Sequence, residues 1–220
     1  MSEWQRQKEE VLKTARQMFA DGLVVGTSGN VSMRLPKHDG LDILAITPHH
    51  MYYDEMTPDD IVVMDFEGET IEGNVPSVEA MLHIGIYKAR YKVKAVVHTH
   101  SIYASALAVA GEALPSLVDE QVTFIGDGVR VAKYAISASD ELAAYAVDAL
   151  GERNAVILAN HGLVGVGRSL REALTVCQMV ERLSQIFVLA QSLGGVNRLP
   201  SDVVCAEQAF FNMLQAGEDE

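Results

Sequence analysis

Cysteine is scarce in this sequence. Only Cys177 and Cys205 occur, far apart and in no CxxC spacing. That argues against a disulfide framework and fits a reducing compartment. Positive charge is also in short supply: 17 Lys and Arg stand against 30 Asp and Glu, a formal net charge of −13. Such a chain repels phosphate backbones and anionic lipid, so neither nucleic acid nor a membrane surface is an expected partner. No uninterrupted apolar run reaches the ~18 residues a membrane span needs. The opening "MSEWQRQKEE" is charged where a secretory signal would be apolar. GxGxxG and GxxxxGK[ST] are both missing, which removes the common nucleotide fingerprints. Repeats and low-complexity linkers are missing too. What is present is 220 residues, 49% of them hydrophobic, enough to bury one sizeable core. The expectation is a single cytoplasmic domain over residues 1–220.

Periodicity gives a coarse plan. Val11, Ala15, Met18 and Phe19 recur at three- and four-residue spacing, predicting an amphipathic helix over 4–20. "LDILAIT" (41–47), "IVVMDF" (61–66), "KAVVHTH" (94–100), "VRVAKYA" (129–135) and "AVILAN" (155–160) read as strands. Helices are expected over 78–90, capped by Ser77, over 101–111, over 139–150, and over 169–193 with Gly194-Gly195 as the stop. Beyond Pro200 the pattern suggests no more than a short helix, and "AGEDE" a mobile end. Strands and helices mix without the regular alternation of a doubly wound nucleotide fold, so a sheet covered by helices is expected.

Two histidines stand one residue apart in "AVVHTHSIYAS". On a strand, residues i and i+2 face the same way, so His98 and His100 present their rings side by side. They either pack in a core or supply two ligands to a metal. His161, beside Gly162 in "LANHGLVGVG", is a candidate third ligand, and three histidines leave the open position a catalytic metal needs. Glu79 in "PSVEAMLH" shares a helix face with His83. It either complements the helix dipole or serves as a base beside the metal. "GTSGN" (26–30) is either a simple turn or a set of N–H and hydroxyl groups aimed at an anion.

In order along the chain, "GTSGNVSMR" (26–34), "ITP" (46–48), "PSVEAMLH" (76–83), "AVVHTH" (95–100) and "ANHGLVGVG" (159–167) resemble the class II aldolase/adducin family, and within it the fuculose-phosphate aldolases. The resemblance spans about residues 5–195. It implies an α/β three-layer αβα fold with a largely antiparallel central sheet, in a homotetramer. It also implies one divalent metal per subunit on His98, His100, His161 and Glu79, zinc first, with manganese, iron or cobalt as alternatives. Glu79 would leave the metal to act as catalytic acid/base. Gly29, Asn30, Thr47 and Ser77 would contact a sugar-phosphate substrate. The implied reaction is reversible cleavage of a ketose 1-phosphate to dihydroxyacetone phosphate and an aldehyde, through a metal-stabilised enediolate. Some positions depart from the pattern. His49 and His50 replace Thr-Gly after "ITP", and Val78 replaces a serine, so the imidazoles would have to compensate in anion binding. The tyrosine that a fuculose-phosphate aldolase donates across a subunit interface falls near Asp119, here read either as a proton-transfer group or as part of a solvated acidic turn. The "LVDE" stretch is more similar to aldolases of 5-deoxypentose phosphates. Alternatives on the same scaffold are an epimerase, a dehydratase or a decarboxylase, or a non-catalytic adducin-like binding module. The family's epimerases carry Asp where this chain has Glu79, and adducin heads lack the metal histidines.

Overall fold

Val11, Ala15 and Met18 are buried along one face of α1 (Gln5–Ala20), as their spacing requires. The computed structural model describes residues 2–216. After α1 come β1 (Asn30–Arg34), β2 (Ile43–Ile46), β3 (Val62–Asp65), β4 (Thr70–Glu72), α2 (Ala80–Ala89), β5 (Ala95–Thr99), α3 (Ile102–Ala110) and α4 (Asp119–Ile125). The rest is β6 (Arg130–Ala132), α5 (Asp140–Leu150), β7 (Ala155–Leu158), β8 (Gly162–Gly167), α6 (Leu170–Ser192) and α7 (Ser201–Ala216). The strands form one sheet in the order β4-β3-β2-β1-β5-β8-β7-β6. Every pairing is antiparallel except β6 with β7. This is the three-layer α/β arrangement with a largely antiparallel sheet that the motifs imply.

Strand alternation sorts side chains between the two helix layers. Val31, Ile43, Ala45, Val63, Ala95 and Val97 join the core under α1, α3 and α6. Leu44, Ile46, Val62, Met64 and Val96 join the other, under α2 and α5. Each fully buried aliphatic side chain here contributes roughly 1.5–3 kcal/mol. Among the described residues only α6 has the length and apolarity to cross a membrane. Its Val176, Val180, Leu183 and Phe187 are buried in the core, and it packs on β5 and β8.

Three expectations need correction. The helix after Ser77 begins at Ala80, not Val78. Ser77 N–H donates to the Thr47 carbonyl and Pro48 bridges Pro76, which keeps this segment extended against β2 until Glu79. Ser77 Oγ instead accepts the Glu79 N–H at 3.3 Å. The acidic stretch at Asp119 is not a turn but the start of α4. Past Pro200 the chain forms a 16-residue helix, α7, because Phe211 seats against Gly126 at the end of α4. The remainder of "AGEDE" lies outside the described residues. The strand β8 carries no strand signal because three of its six residues are glycine. At Gly165 the reason is steric: a Cβ would stand 2.6 Å from Cys177 Sγ on α6.

Candidate active site

β5 lies at the centre of the sheet, between β1 and β8, and it carries His98. The alternation that sends Val97 to one core sends Val96 and His98 toward α2. His98 is fully buried, and its Nδ1 lies 3.0 Å from the Leu163 carbonyl. A carbonyl can only accept, so a proton sits on Nδ1 and Nε2 faces inward. His100 follows just past the strand end, tethered by its backbone N–H to the Leu23 carbonyl at 3.0 Å. His161 closes the three-residue loop between β7 and β8, whose ends pair as Leu158 with Gly162. The left-handed Asn160, at φ 55°, turns this loop back. Gly162 backs directly onto the site: a Cβ there would meet the Thr99 carbonyl and stand 2.8 Å from His100 Cδ2.

The three rings converge. His98 Nε2 is 2.9 Å from His100 Nε2 and 3.3 Å from His161 Nε2. Glu79, at the N-cap of α2, adds its carboxylate: Oε1 is 3.1 Å from His161 Nε2 and Oε2 is 3.3 Å from His98 Nε2. Burial alone would raise the Glu79 carboxyl, but the field of His98 and the contacts with His161 and His98 outweigh it, holding the group well below the usual carboxylate range. Burial, reinforced by the neighbouring His98 and His161, pushes His100 down to about 3, so its ring is neutral at neutral pH. The three histidines could hold a metal ion.

Behind Glu79 lies a buried polar chain of which the motif reading named only Asn30 and His83. Asn30 Nδ2 donates to Glu79 Oε2 at 2.9 Å, and Asn30 Oδ1 meets His83 Nε2 at 2.5 Å. Ser32 Oγ lies 2.6 Å from His83 Nδ1 and 2.8 Å from Tyr87 Oη. Asn30 and Ser32 sit on the face of β1 opposite Val31, and both are buried there against α2.

Residues 9–188 match the family described as class II aldolase and adducin N-terminal domain. The chain is 37% identical over 199 residues to 5-deoxy-D-ribulose 1-phosphate aldolase of Bacillus thuringiensis serovar kurstaki, covering 90% of this chain and 92% of that protein. The chain belongs to the class II aldolase/adducin family. It is 33% identical to L-fuculose phosphate aldolase of Haemophilus influenzae, with 84% of each chain covered. Among solved structures, an L-fuculose 1-phosphate aldolase superposes with a TM-score of 0.87 at 34% identity, over 93% of this chain and 95% of that one. The protein is thus a class II aldolase by fold and by relatives.

The other positions that the family resemblance brought forward fall into two groups. Gly29 (φ 75°) and Asn30 lie at the entry to β1, next to the His98 backbone. The Asn30 side chain is committed to Glu79 and His83, and its backbone pairs with His98 in the sheet. Thr47 is buried, and its Oγ1 accepts the Val31 N–H at 3.2 Å, so it ties β1 to the segment after β2. Ser77 is tied to that same segment through the Thr47 carbonyl. His49 and His50 are exposed, with ring centroids 4.3 Å apart. His50 Nδ1 lies 3.4 Å from Thr27 Oγ1, which draws the "GTSGN" loop and this turn together. Asp119 is exposed in the first turn of α4, and among the described residues no contact joins it to Glu79 or the histidines.

Proposed function

We propose that this chain is a metal-dependent aldolase that reversibly cleaves a ketose 1-phosphate to dihydroxyacetone phosphate and an aldehyde. The observation that carries this reading is the convergence of three imidazole ligand atoms, all within 4.8 Å of one another, with the Glu79 carboxylate 3.1–3.3 Å from two of them. Ligands held ~2.0–2.1 Å from one tetrahedral ion sit about 3.3 Å apart, so the donor set fits a divalent cation. Lone pairs packed this closely repel unless a proton or a metal cation lies between them. His98, His100, His161 and Glu79 would hold it; zinc suits three imidazoles best, and manganese, iron or cobalt accept the same donors. When bound, the ion would supply Lewis-acid stabilisation of enediolate charge.

The chain's own groups do the rest. In the cleavage direction Glu79, protonated from solvent, delivers one proton to the carbon of the three-carbon product and is left ionised, a role typically worth ~10²–10⁴-fold in rate. The proton taken from the substrate hydroxyl returns to solvent. A second group must accept the proton of the hydroxyl that becomes the aldehyde. We assign this to Asp119 of a neighbouring subunit in a homotetramer, because among the described residues of one chain no contact joins Asp119 to the histidines. The exposed Ile102 (73%), Val109 (69%) and Leu193 (88%) support burial between copies. The substrate anion would rest on Gly29, Asn30 and Ser77, bounded by Thr47, with the His49 and His50 rings supplying hydrogen-bond donors. We read residues 1–220 as one working unit in the cytoplasm.

The substrate we favour is 5-deoxyribulose 1-phosphate, which would yield dihydroxyacetone phosphate and acetaldehyde. The test begins with elemental analysis of protein purified without chelator, where about one divalent ion per chain is expected. Release of dihydroxyacetone phosphate is then followed by a coupled assay on 5-deoxyribulose 1-phosphate and on L-fuculose 1-phosphate. Turnover that needs the metal and favours the first substrate supports the reading. Consumption of substrate without a three-carbon phosphate would replace it with a dehydratase, and a metal-free protein without turnover would favour an adducin-like module.

A further inference from the structure

The polar chain behind Glu79 has only one self-consistent direction. A carboxylate can only accept, so the Asn30 amide must turn its Nδ2 toward Glu79 and its Oδ1 toward His83. His83 must then carry its proton on Nε2, which leaves Nδ1 as an acceptor. Ser32 gives its one proton to Nδ1, so Tyr87 donates to Ser32. His83, Ser32 and Tyr87 are all at or below 1% exposure, and Asn30 is at 3%. Reversing any link leaves a buried donor or acceptor unmet, which costs ~1–3 kcal/mol. Burial, with His98 nearby, pushes His83 down to about 3, so the neutral ring this pattern needs is the one present. Burial also holds the Tyr87 phenol above its ordinary range, so it remains a donor.

We propose that His83, locked between Ser32 and Asn30, is a positioning residue: it fixes the Asn30 amide so that Glu79 is held toward the three histidines. The role rests on the reading of Glu79 as metal ligand and proton carrier. Packing alone does not explain four polar side chains, Asn30, Ser32, His83 and Tyr87, buried in the layer between β1 and α2. A packing role would be served better by apolar groups, since a buried polar chain is stabilising only when every member is satisfied.

The test compares His83→Leu, His83→Gln and Ser32→Ala with the parent. Each is measured by zinc titration of the chelated protein and by kcat and KM on the sugar phosphate that the parent turns over. Circular dichroism melts check folding. In His83→Leu the zinc Kd should rise ~10–100-fold and kcat should fall by a similar factor, with KM nearly unchanged. His83→Gln can place an N–H where Nε2–H was, so it should recover most of both. Ser32→Ala should show the same split at a smaller size, ~3–10-fold. A folded His83→Leu with parental zinc affinity and kcat overturns the proposal. So does a folded His83→Gln as impaired as His83→Leu, since shape would then be the only issue. If His83→Leu does not fold, parental values in Ser32→Ala overturn it. Glu79→Gln runs alongside: unimpaired turnover there removes the role assigned to Glu79, whereas a loss there with parental His83 variants removes only this inference.

Discussion

His98 and His100 are one residue apart; His49 and His50 are adjacent, and both pairs bring their rings within 5 Å of each other, at 4.7 and 4.3 Å between centroids. Their surroundings differ in every other respect. The first pair rides on the central strand, where pleat and ladder set the direction of His98, the Leu163 carbonyl sets its tautomer, and Glu79 faces it. The second pair sits on the turn after β2, where His50 adopts φ 51° and the nearest side-chain partner is Thr27 at 3.4 Å. Proximity in sequence is therefore cheap. What distinguishes a ligand set is that independent elements, here β5, the β7–β8 loop and the start of α2, deliver donors to one point with orientations already set.

The sharpest way to break that contrast is to remove the buried pair. His98→Ala with His100→Ala should bring bound metal from about one ion per chain to background and abolish turnover, as read by elemental analysis and the coupled assay. Full occupancy after both changes would sink the site. Glu79→Gln should keep the fold and much of the metal while kcat falls at least ~10²-fold; near-parental rates would show that the carboxylate carries no proton. Gly162→Ala probes the shape of the site without touching a donor. Its Cβ would press on the Thr99 carbonyl and His100 Cδ2, so zinc affinity should drop ~10–100-fold in a titration.

Removing the metal should expose a pH dependence of stability. His83 and His100 both have folded values pushed down to about 3, against ~6.5 in the unfolded chain. The unfolded state then binds more protons below pH ~6.5. Stability is complete above that value and is lost as the pH falls toward 3. The melting temperature of chelated protein should therefore decline from pH 7 to 5; a flat profile would contradict burial of neutral rings. The smallest effect is expected from His49→Ala with His50→Ala. Metal content should be unchanged and kcat should stay within ~2-fold, while KM for the phosphorylated substrate rises ~3–10-fold as two imidazole hydrogen-bond donors to the anion are lost. A collapse of kcat would mean that the exposed pair does more than attract the anion.

Much of the fold was legible. The helices at 5–20, 140–150 and 170–192 and the strands around Ile43, Val62, Ala95 and Ala155 follow periods that the residues display openly. Elements defined by their neighbours were not. β8 is half glycine because α6 lies against Gly165 and Gly167 and the histidine cluster against Gly162, and α7 exists because Phe211 has Gly126 to rest on. The ligand candidates were readable because the ordered motifs resemble a known family; spacing alone left each histidine open between packing and binding. Ser32 and Tyr87 gave no signal as site residues. Their role depends on β1 lying beneath α2, a long-range contact that no local pattern encodes.

By itself, then, the sequence determined which residue types were available and which local periods they follow, because helix and strand formation depend on neighbours a few positions away. It also determined, through the ordered motifs, the family. Only the tertiary structure decided that Nε2 atoms from residues 98, 100 and 161 meet within 3.3 Å of His98. It alone decided that the Glu79 carboxylate faces them, and that one proton-donor chain from Tyr87 ends on that carboxylate. The physical reason is that a buried carboxylate and buried imidazoles acquire tautomer, charge and direction only from the groups that replace water around them. Those groups come from strands and helices brought together across the whole chain.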